Sequence, residues 1–328
     1  MIDVLTLVHG IFDTRKMNDF IHKNLDGVVC NKLFILLNGF DRNDEKIINY
    51  FNSHDKRKDI VLVFEENNIG SASGFSTLMK KSIIDSSNNY IFLLDNDNYI
   101  NKSSSDLEKM KNEVLRKKIV IYQREDRPYL SKILNGEKIS NVLPPIDSCL
   151  GFDYVYLLKK ISKRIFFLKT KKSNKKDNDN LLPYAPYGGL VINKKLIIDI
   201  GFPNEDYFVY CDDYEFTARI SREINGIPLS NSLLISDMDK SWNYKNSLPF
   251  WLNILKAKQK NRIYYSIRNR LYFEKDNYTN STRYKINYFT ITIFLKIFSR
   301  FSENADVIKT AFSDYKNNVI GKSNKYSI

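Results

Sequence analysis

At 328 residues the chain exceeds the usual size of one domain, so a large domain carrying an appendage is expected. Its apolar content of 43% is ample for a core, and a formal charge of +13 points to an anionic partner: a membrane surface, a nucleic acid or a phosphorylated substrate. Three cysteines, Cys30, Cys149 and Cys211, lie too far apart for a zinc site or a disulfide framework, which favours a reducing compartment.

The first eight residues lack the basic segment of a signal peptide, and residues 4–8 read as a buried strand. Residues 32–37 form a second apolar run, ended by the turn pair Asn38-Gly39, and residues 59–64 and 90–94 a third and a fourth. Helices are expected over residues 43–51, and over 75–86 after the small-residue stretch 70–74. Strands separated by helices argue for βαβ units in a mostly parallel sheet, whose ligands sit beyond the carboxyl ends of the strands. Residues 120–123 suggest a further strand, whereas 124–180 carry no clear pattern, and the polar run 171–180 reads as a mobile loop. Order resumes at Pro183, where Gly188-Gly189 lead into Leu190-Val191-Ile192. After about residue 230 the chain turns aromatic and basic. No stretch reaches the roughly 18 uninterrupted apolar residues of a spanning helix, so a soluble or peripheral protein is expected.

Three stretches carry candidate chemistry. In Asp95-Asn96-Asp97 an extended backbone would point both carboxylates the same way, onto a hard divalent ion such as Mg²⁺ or Mn²⁺. The identical triplet Asp177-Asn178-Asp179 falls in the polar loop, so the meaning of the first copy rests on its place after a buried strand. Asp237-Met238-Asp239 fits the looser spacing. The segment from Asn67 to Phe75 puts small residues between a strand and a helix, either to offer backbone N–H groups to an anion or simply to pack closely. Finally, the aromatic run 207–210 delivers Asp212 and Asp213 to a helix start, where acids also serve as caps, and the i,i+4 pair Glu215–Arg219 reads as a structural salt bridge.

Taken in order, these blocks resemble the inverting, GT-A-fold bacterial glycosyltransferases of family 2, in the branch of galactofuranosyl- and rhamnosyltransferases. Residues 68–75 are similar to the family's glycine-rich segment, and Leu93-Leu94-Asp95-Asn96-Asp97 to its Asp-x-Asp block. Residues 189–219 follow its Gly-x-Pro, aromatic and Asp-Asp-x-Glu pattern, and Tyr264-Tyr265-Ser266-Ile267-Arg268-Asn269 resembles its Tyr-Tyr-x-x-Arg-Asn segment. The resemblance implies a Rossmann-like α/β catalytic domain over 1–230, with a nucleotide-sugar half to about 100 and an acceptor half beyond, and a helical module over 231–328. It implies a UDP or dTDP sugar donor, bound through Asn38, Asn68, Gly70, Asp95 and Arg15, and Mn²⁺ or Mg²⁺ on Asp95 and Asp97. Asp213 would be the general base and Asp212 its orienting neighbour. Where relatives place a metal-binding histidine this chain has none, and Asp237 is the substitute oxygen ligand. Asn38 replaces the usual nucleobase acid, and His9 reads as a local hydrogen-bonding residue. The string of processive synthases is absent, so one or a few sugars per acceptor are expected.

The implied acceptor is a saccharide, lipid-linked, in O-antigen or capsule synthesis at the cytoplasmic face of the membrane. The basic, aromatic stretches 256–265 and 289–298 fit either an anionic membrane surface or a helical subdomain packed on itself. Three rivals stand beside this. A nucleic-acid-binding protein explains the charge but not acids at strand ends, so no nucleic-acid partner is expected. A nucleotidyltransferase would need a Gly-, Arg- and Lys-bearing loop after the first strand, and residues 8–15 lack it. An inactive transferase-like scaffold is the third.

Overall fold

The computed structural model describes residues 2–25, 30–53, 59–101, 103–145, 147–165, 180–238, 249–278 and 281–327. Its elements follow the chain as β1 (Ile2–His9), α1 (Thr14–Leu25), β2 (Cys30–Asn38), α2 (Glu45–Asn52), β3 (Ile60–Glu65), α3 (Gly70–Asp85), β4 (Tyr90–Leu93) and β5 (Asn98–Asn101). Next come α4 (Ser104–Arg116), β6 (Ile119–Arg124), α5 (Pro128–Leu134), α6 (Ile139–Val142), α7 (Tyr154–Ile165), β7 (Leu181–Leu182), β8 (Leu190–Asn193), α8 (Lys194–Ile200), α9 (Asp212–Ile224) and β9 (Ile227–Asp237). Helices α10 (Phe250–Lys256), α11 (Lys260–Tyr278), α12 (Thr282–Phe298) and α13 (Ala305–Lys316) complete the set. By contact the chain divides into two units, residues 1–135 with 180–243, and residues 136–179 with 244–328.

The first unit is an α/β domain. Its sheet runs β3-β2-β1-β4-β8-β6-β9-β5, with β7 paired to β9. Pairing is parallel from β3 to β4 and between β6 and β9, while β5, β7 and β8 run the opposite way. Most strands therefore point in one direction. Residues 2–8 of β1 are all buried, Asp3 and Thr6 among them, as in a strand covered on both faces. The expected strands and the helix pattern between them appear. One boundary differs: α3 begins at Gly70, so the small residues 70–74 are helical rather than a loop. They let the helix lie close on the sheet, since a Cβ on Gly74 would overlap Leu7 and press on Leu36.

A buried ion pair ties this packing together. Asp3, fully buried in β1, meets Lys194 Nζ at 2.8 Å and accepts hydrogen bonds from Ser82 Oγ (2.7 Å), Ser86 Oγ (2.9 Å) and Asn88. Lys194 also donates to the carbonyls of Ser82 and Ser86, closing the end of α3. Every charge is matched, so the pair tolerates burial only while both partners are present.

The second unit is helical. Residues 136–179, placed with the acceptor half on sequence grounds, group by contact with the C-terminal helices, and the first unit continues past 230 to 243. The reason is polar as well as apolar: Asp153 receives both Nε and Nη2 of Arg283, and Leu150 N–H donates to Glu274. The Tyr-Tyr-x-x-Arg-Asn segment lies in α11 as a packing device. Arg268 is fully buried, donates to Tyr264 Oη (3.0 Å), Asn269 Oδ1 (3.0 Å) and the Gly321 carbonyl (2.8 Å), and faces the rings of Tyr264 and Tyr265. Tyr264 donates in turn to Asp314 of α13. No helix among the described residues is long and apolar enough to cross a membrane. The loop triplet 177–179, Asp239 and Trp242 lie outside the described residues.

Asp3→Ala strands Lys194 in the core, and a loss of about 3–5 kcal/mol is expected in urea unfolding. A midpoint within error of the wild type would show that the pair is not needed for stability.

Candidate active site

The carboxyl ends of β4, β6 and β9 and the amino ends of the opposed strands β5 and β8 lie at one edge of the sheet. Chain direction alone therefore gathers Asp95, Arg124, Asp237, Asn98 and Gly188. Asp95-Asn96-Asp97 is a tight turn rather than an extension of β4: Asn98 N–H donates to the Asp95 carbonyl (2.9 Å), and the Asp95 N–H donates to Asn98 Oδ1 (3.1 Å). The expected strand alternation therefore does not orient the two carboxylates. The turn does.

At the centre stands Arg124, a residue the sequence reading missed. It is 3% exposed and donates from Nη1 to Asp95 Oδ2 (3.0 Å), from Nε to Asp126 Oδ1 (2.8 Å), and from Nη2 to Asp126 Oδ2 (3.1 Å) and Asp237 Oδ1 (3.3 Å). Burial alone would lower its pKa, but these carboxylates raise it above the ordinary arginine value. Its one sequence signal was a charge closing a buried strand. Gly188 completes the packing: its carbonyl accepts from Arg124 Nη1, and any Cβ there would overlap that nitrogen. Asn98 Nδ2 bridges Asp97 Oδ1 (3.2 Å) and Asp237 Oδ1 (2.7 Å). Arg127 Nη1 also reaches Asp126 Oδ2 (3.2 Å), so the cluster sets four carboxylates against two guanidiniums. Asp237 is pushed up to about 7, first by burial and then by Asp126, Asp97 and Asp95, against the pull of Arg124.

These groups bear on the expected metal site unevenly. Asp95 and Asp97 supply hard oxygen donors where carboxylates outnumber guanidiniums, which suits a divalent cation whose remaining ligands come from elsewhere. Asp237 does not complete a trio: its Oδ1 is engaged by Asn98 and Arg124, and among the described residues no three Asp, Glu, His or Cys side chains stand together as a metal-binding group.

The second feature is the acid pair at the start of α9. It is reached through strained backbone: Phe208 (φ 62°, ψ −65°) is the centre of a γ-turn closed by Val209 N–H on the Tyr207 carbonyl (2.7 Å), and Tyr210 and Cys211 have φ of 64° and 63°. Helix α3 holds this loop in place. Ser76 Oγ and Lys80 Nζ donate to Glu205 (2.7 and 2.9 Å), Ala72 N–H donates to the Phe208 carbonyl (3.1 Å), and Gly70 leaves no room for a Cβ beneath it.

Asp212 is 3% exposed and accepts from Ser71 Oγ at 2.8 Å; Asp213 is partly exposed. Burial raises Asp212 to about 7, and burial with repulsion from Asp212 raises Asp213 to about 8. Asp95 adds to both, so the acid pair and the Arg124 cluster share one field. Aromatic rings wall the pair: Tyr214 packs on Tyr184 and Tyr187 on Phe75, each with centroids 4.6 Å apart. Thr217 anchors the tyrosine loop by hydrogen bonds with the N–H and carbonyl of Ala185.

Other predicted residues have structural tasks. Asn38, expected at a nucleobase, is 2% exposed and accepts from Ile69 N–H (2.9 Å) while donating to Asn68 Oδ1 (3.0 Å). Asn68 Oδ1 also accepts from Gly70 N–H, so the expected anion-binding amides of Gly70 and Ala72 are spent inside the protein. Arg15 is exposed in the first turn of α1, and His9 is exposed at the end of β1. Arg219 pairs with Glu215 at 2.6 Å and donates to the carbonyls of Ile200 and Phe202, a structural role.

No family model matches the sequence, and no curated protein matches it. Among solved structures, S. aureus TarS 1–349 is similar at 11% identity and a TM-score of 0.43, over 97% of this chain and 91% of that one. The mannosyltransferase PcManGT from Pyrobaculum calidifontis, in complex with GDP-Man and Mn²⁺, is similar at 9% identity and a TM-score of 0.48, over 97% of this chain and 87% of that one. GalNAc-T7 with UDP, GalNAc and Mn²⁺ matches at 11% identity and a TM-score of 0.45, over 96% of this chain and 55% of its own. These likenesses are remote, and the chemistry below follows from this chain's own side chains.

Arg124→Met takes this cation from Asp95 and Asp237 and leaves Asp126 with Arg127 alone. Because the repulsion grows as the carboxylates ionise, the variant should lose about 3–5 kcal/mol at pH 8 and clearly less at pH 5, read by chemical unfolding at both values. Equal losses at the two pH values would place its role in packing alone.

Proposed function

We propose that the chain is an inverting GT-A-fold glycosyltransferase that moves a sugar from a nucleotide-diphosphate donor to a saccharide hydroxyl. The observation that carries this reading is the acid pair Asp212-Asp213, the first buried and the second partly exposed, mutually repelling and raised into the neutral range, next to carboxylates suited to a divalent ion at the carboxyl edge of an α/β sheet. The sequence resemblance in residues 189–219 and 264–269 supports UDP or dTDP as nucleotide, galactofuranose or rhamnose as sugar, and a lipid-linked acceptor in O-antigen or capsule synthesis.

Asp213 takes the proton from the acceptor hydroxyl, which is the reason its raised pKa matters: a base works best when its pKa lies near the working pH. The freed oxygen attacks the anomeric carbon from the face opposite the nucleotide. The bond to the diphosphate oxygen breaks, its electron pair leaves with the nucleoside diphosphate, and the configuration inverts. Asp212, fixed by Ser71, orients the acceptor and keeps Asp213 basic by repulsion. Asp95 and Asp97 would hold Mn²⁺ or Mg²⁺, which when bound offsets charge on the leaving diphosphate. Arg124 fixes Asp95 and Asp237 in place. The walls of Tyr184, Tyr187 and Tyr214 exclude water from the pair.

Asp213→Asn should cut transfer by about 10³-fold while leaving metal-dependent nucleotide binding intact, whereas Asp95→Asn should weaken that binding, read by a thermal-shift panel of nucleotide sugars with Mn²⁺. Undiminished transfer in the Asp213 variant overturns the base assignment.

Transfer by the wild type should rise with pH from 6 to a plateau above 8, because the base must be deprotonated. Stability should move the other way. Both folded pKa values lie above the ordinary 3.8, so the pair's favourable contribution is complete below pH 4 and is lost as pH rises through 7 to 8. Asp213→Asn should therefore melt higher than the wild type at pH 8, by on the order of 2 °C or more, with the gap shrinking at pH 5.

A further inference from the structure

We infer that the solvent face of α12 is a docking surface for an anionic lipid membrane. Helix α12 buries Tyr284, Asn287, Ile291 and Leu295 on one face. The opposite face is apolar where a water-facing helix should be polar: Ile286 is 43% exposed, Phe289 67%, Ile293 41% and Ile297 48%, and Phe301 follows at 87%. Spacings of three and four residues place the first four on one stripe, about 16 Å long. Exposed Lys285, Lys296 and Arg300 lie among them. An exposed apolar stripe of this kind marks an interaction site.

Charge identifies the occupant. The helical unit, residues 136–179 and 244–328, contains 26 of the 51 Lys and Arg but only 10 of the 38 Asp and Glu, a formal +16; the α/β unit has the other 25 and 28, a formal −3. The whole positive excess of the protein thus belongs to the unit bearing the stripe. A second copy of this unit would bring like charge against like. A nucleic acid would satisfy the lysines but offers no apolar phase for Phe289 and Phe301. An anionic bilayer satisfies both, with the apolar stripe entering the acyl boundary and the lysines reaching the phosphates. The basic stretch 256–265, weighed with 289–298 as a membrane contact on sequence, has Tyr264 and Tyr265 turned into the unit's core, so α12 carries the apolar part of the surface. The inference is independent of the transfer reaction.

The test is co-sedimentation of the full chain with phosphatidylcholine vesicles, with and without 30% phosphatidylglycerol as a roughly physiological anionic fraction. The wild type should pellet with the anionic vesicles alone. Phe289→Asp together with Ile293→Asp should lower partitioning by about 10-fold or more, and Lys285→Glu with Lys296→Glu by roughly fivefold per lysine. Because all four side chains are exposed, the variants should keep the wild-type melting temperature and nucleotide-sugar binding, which separates lost docking from lost folding. No pelleting of the wild type, or pelleting unaffected by the Phe289/Ile293 change, overturns the inference. So does a dimer on light scattering that the same change dissociates, since a second copy would then cover the stripe, or retention by RNA in preference to vesicles.

Discussion

A guanidinium that cannot give up its proton is buried at the edge of the sheet, and the geometry of the site follows from how it is matched. Arg124 is 3% exposed, and the desolvation of so large an ion is offset only by well-placed carboxylates. Those carboxylates arrive from different directions: Asp95 from the turn after β4, Asp126 from just beyond β6, Asp237 from the end of β9. Satisfying one cation therefore fixes the relative positions of three strand ends. The same requirement explains Gly188, since its carbonyl is one of the acceptors and a Cβ would overlap the ion. The match is deliberately incomplete in charge. Asp95, Asp97, Asp126 and Asp237 outnumber Arg124 and its neighbour Arg127, which also pairs with Asp126, and their repulsion adds to burial in raising Asp237.

That surplus reaches the acid pair. Asp212 and Asp213 are raised chiefly by burial, but Asp95 contributes to both, so the two clusters titrate in a common field. Holding two like charges together at a helix start requires backbone that cannot relax away. The γ-turn at Phe208 and the left-handed residues Tyr210 and Cys211 supply a rigid, strained approach, and α3 keeps it in place through Ser76, Lys80 and Ala72. The small residues of α3 thus serve two purposes: Gly74 lets the helix approach the sheet, while Gly70 and Ser71 meet the strained loop and Asp212.

The sequence made the scaffold readable because buried parallel strands carry near-continuous apolar runs, as in residues 4–8, interrupted by Thr6 alone, and 33–37. Asp212 and Asp213 were legible for a related reason: acids following an aromatic run at a helix start are conspicuous. Arg124 was not, because an arginine ending a strand looks like a solvated terminus until three carboxylates from distant segments close on it. Asp95-Asn96-Asp97 follows a buried strand as expected but with another conformation, since strand alternation does not extend across what Asn98 makes a tight turn. Asn38 and Asn68 carry internal hydrogen bonds that the sequence did not announce. A polar residue at a strand end suggests a ligand, yet the buried amides of Ile69 and Gly70 needed acceptors, and internal demand came first. The stretch 124–180 had no readable pattern, and among its described residues Asp153 finds its partner in Arg283, 130 residues away.

Charge counted over the whole chain concealed how it is divided. A total of +13 points to an anionic partner, a phosphorylated substrate among the choices, but the unit that holds the Arg124 cluster and the acid pair is formally −3. A diphosphate brought to that edge meets surplus carboxylates, and Arg124 is already committed to three of them. Under the proposed reaction a diphosphate at this edge therefore calls for added positive charge, which a divalent ion on Asp95 and Asp97 would supply. The lysines and arginines in excess, lying in the helical unit, must answer to something else, and the exposed stripe from Ile286 to Ile297 gives them a surface on which to do so.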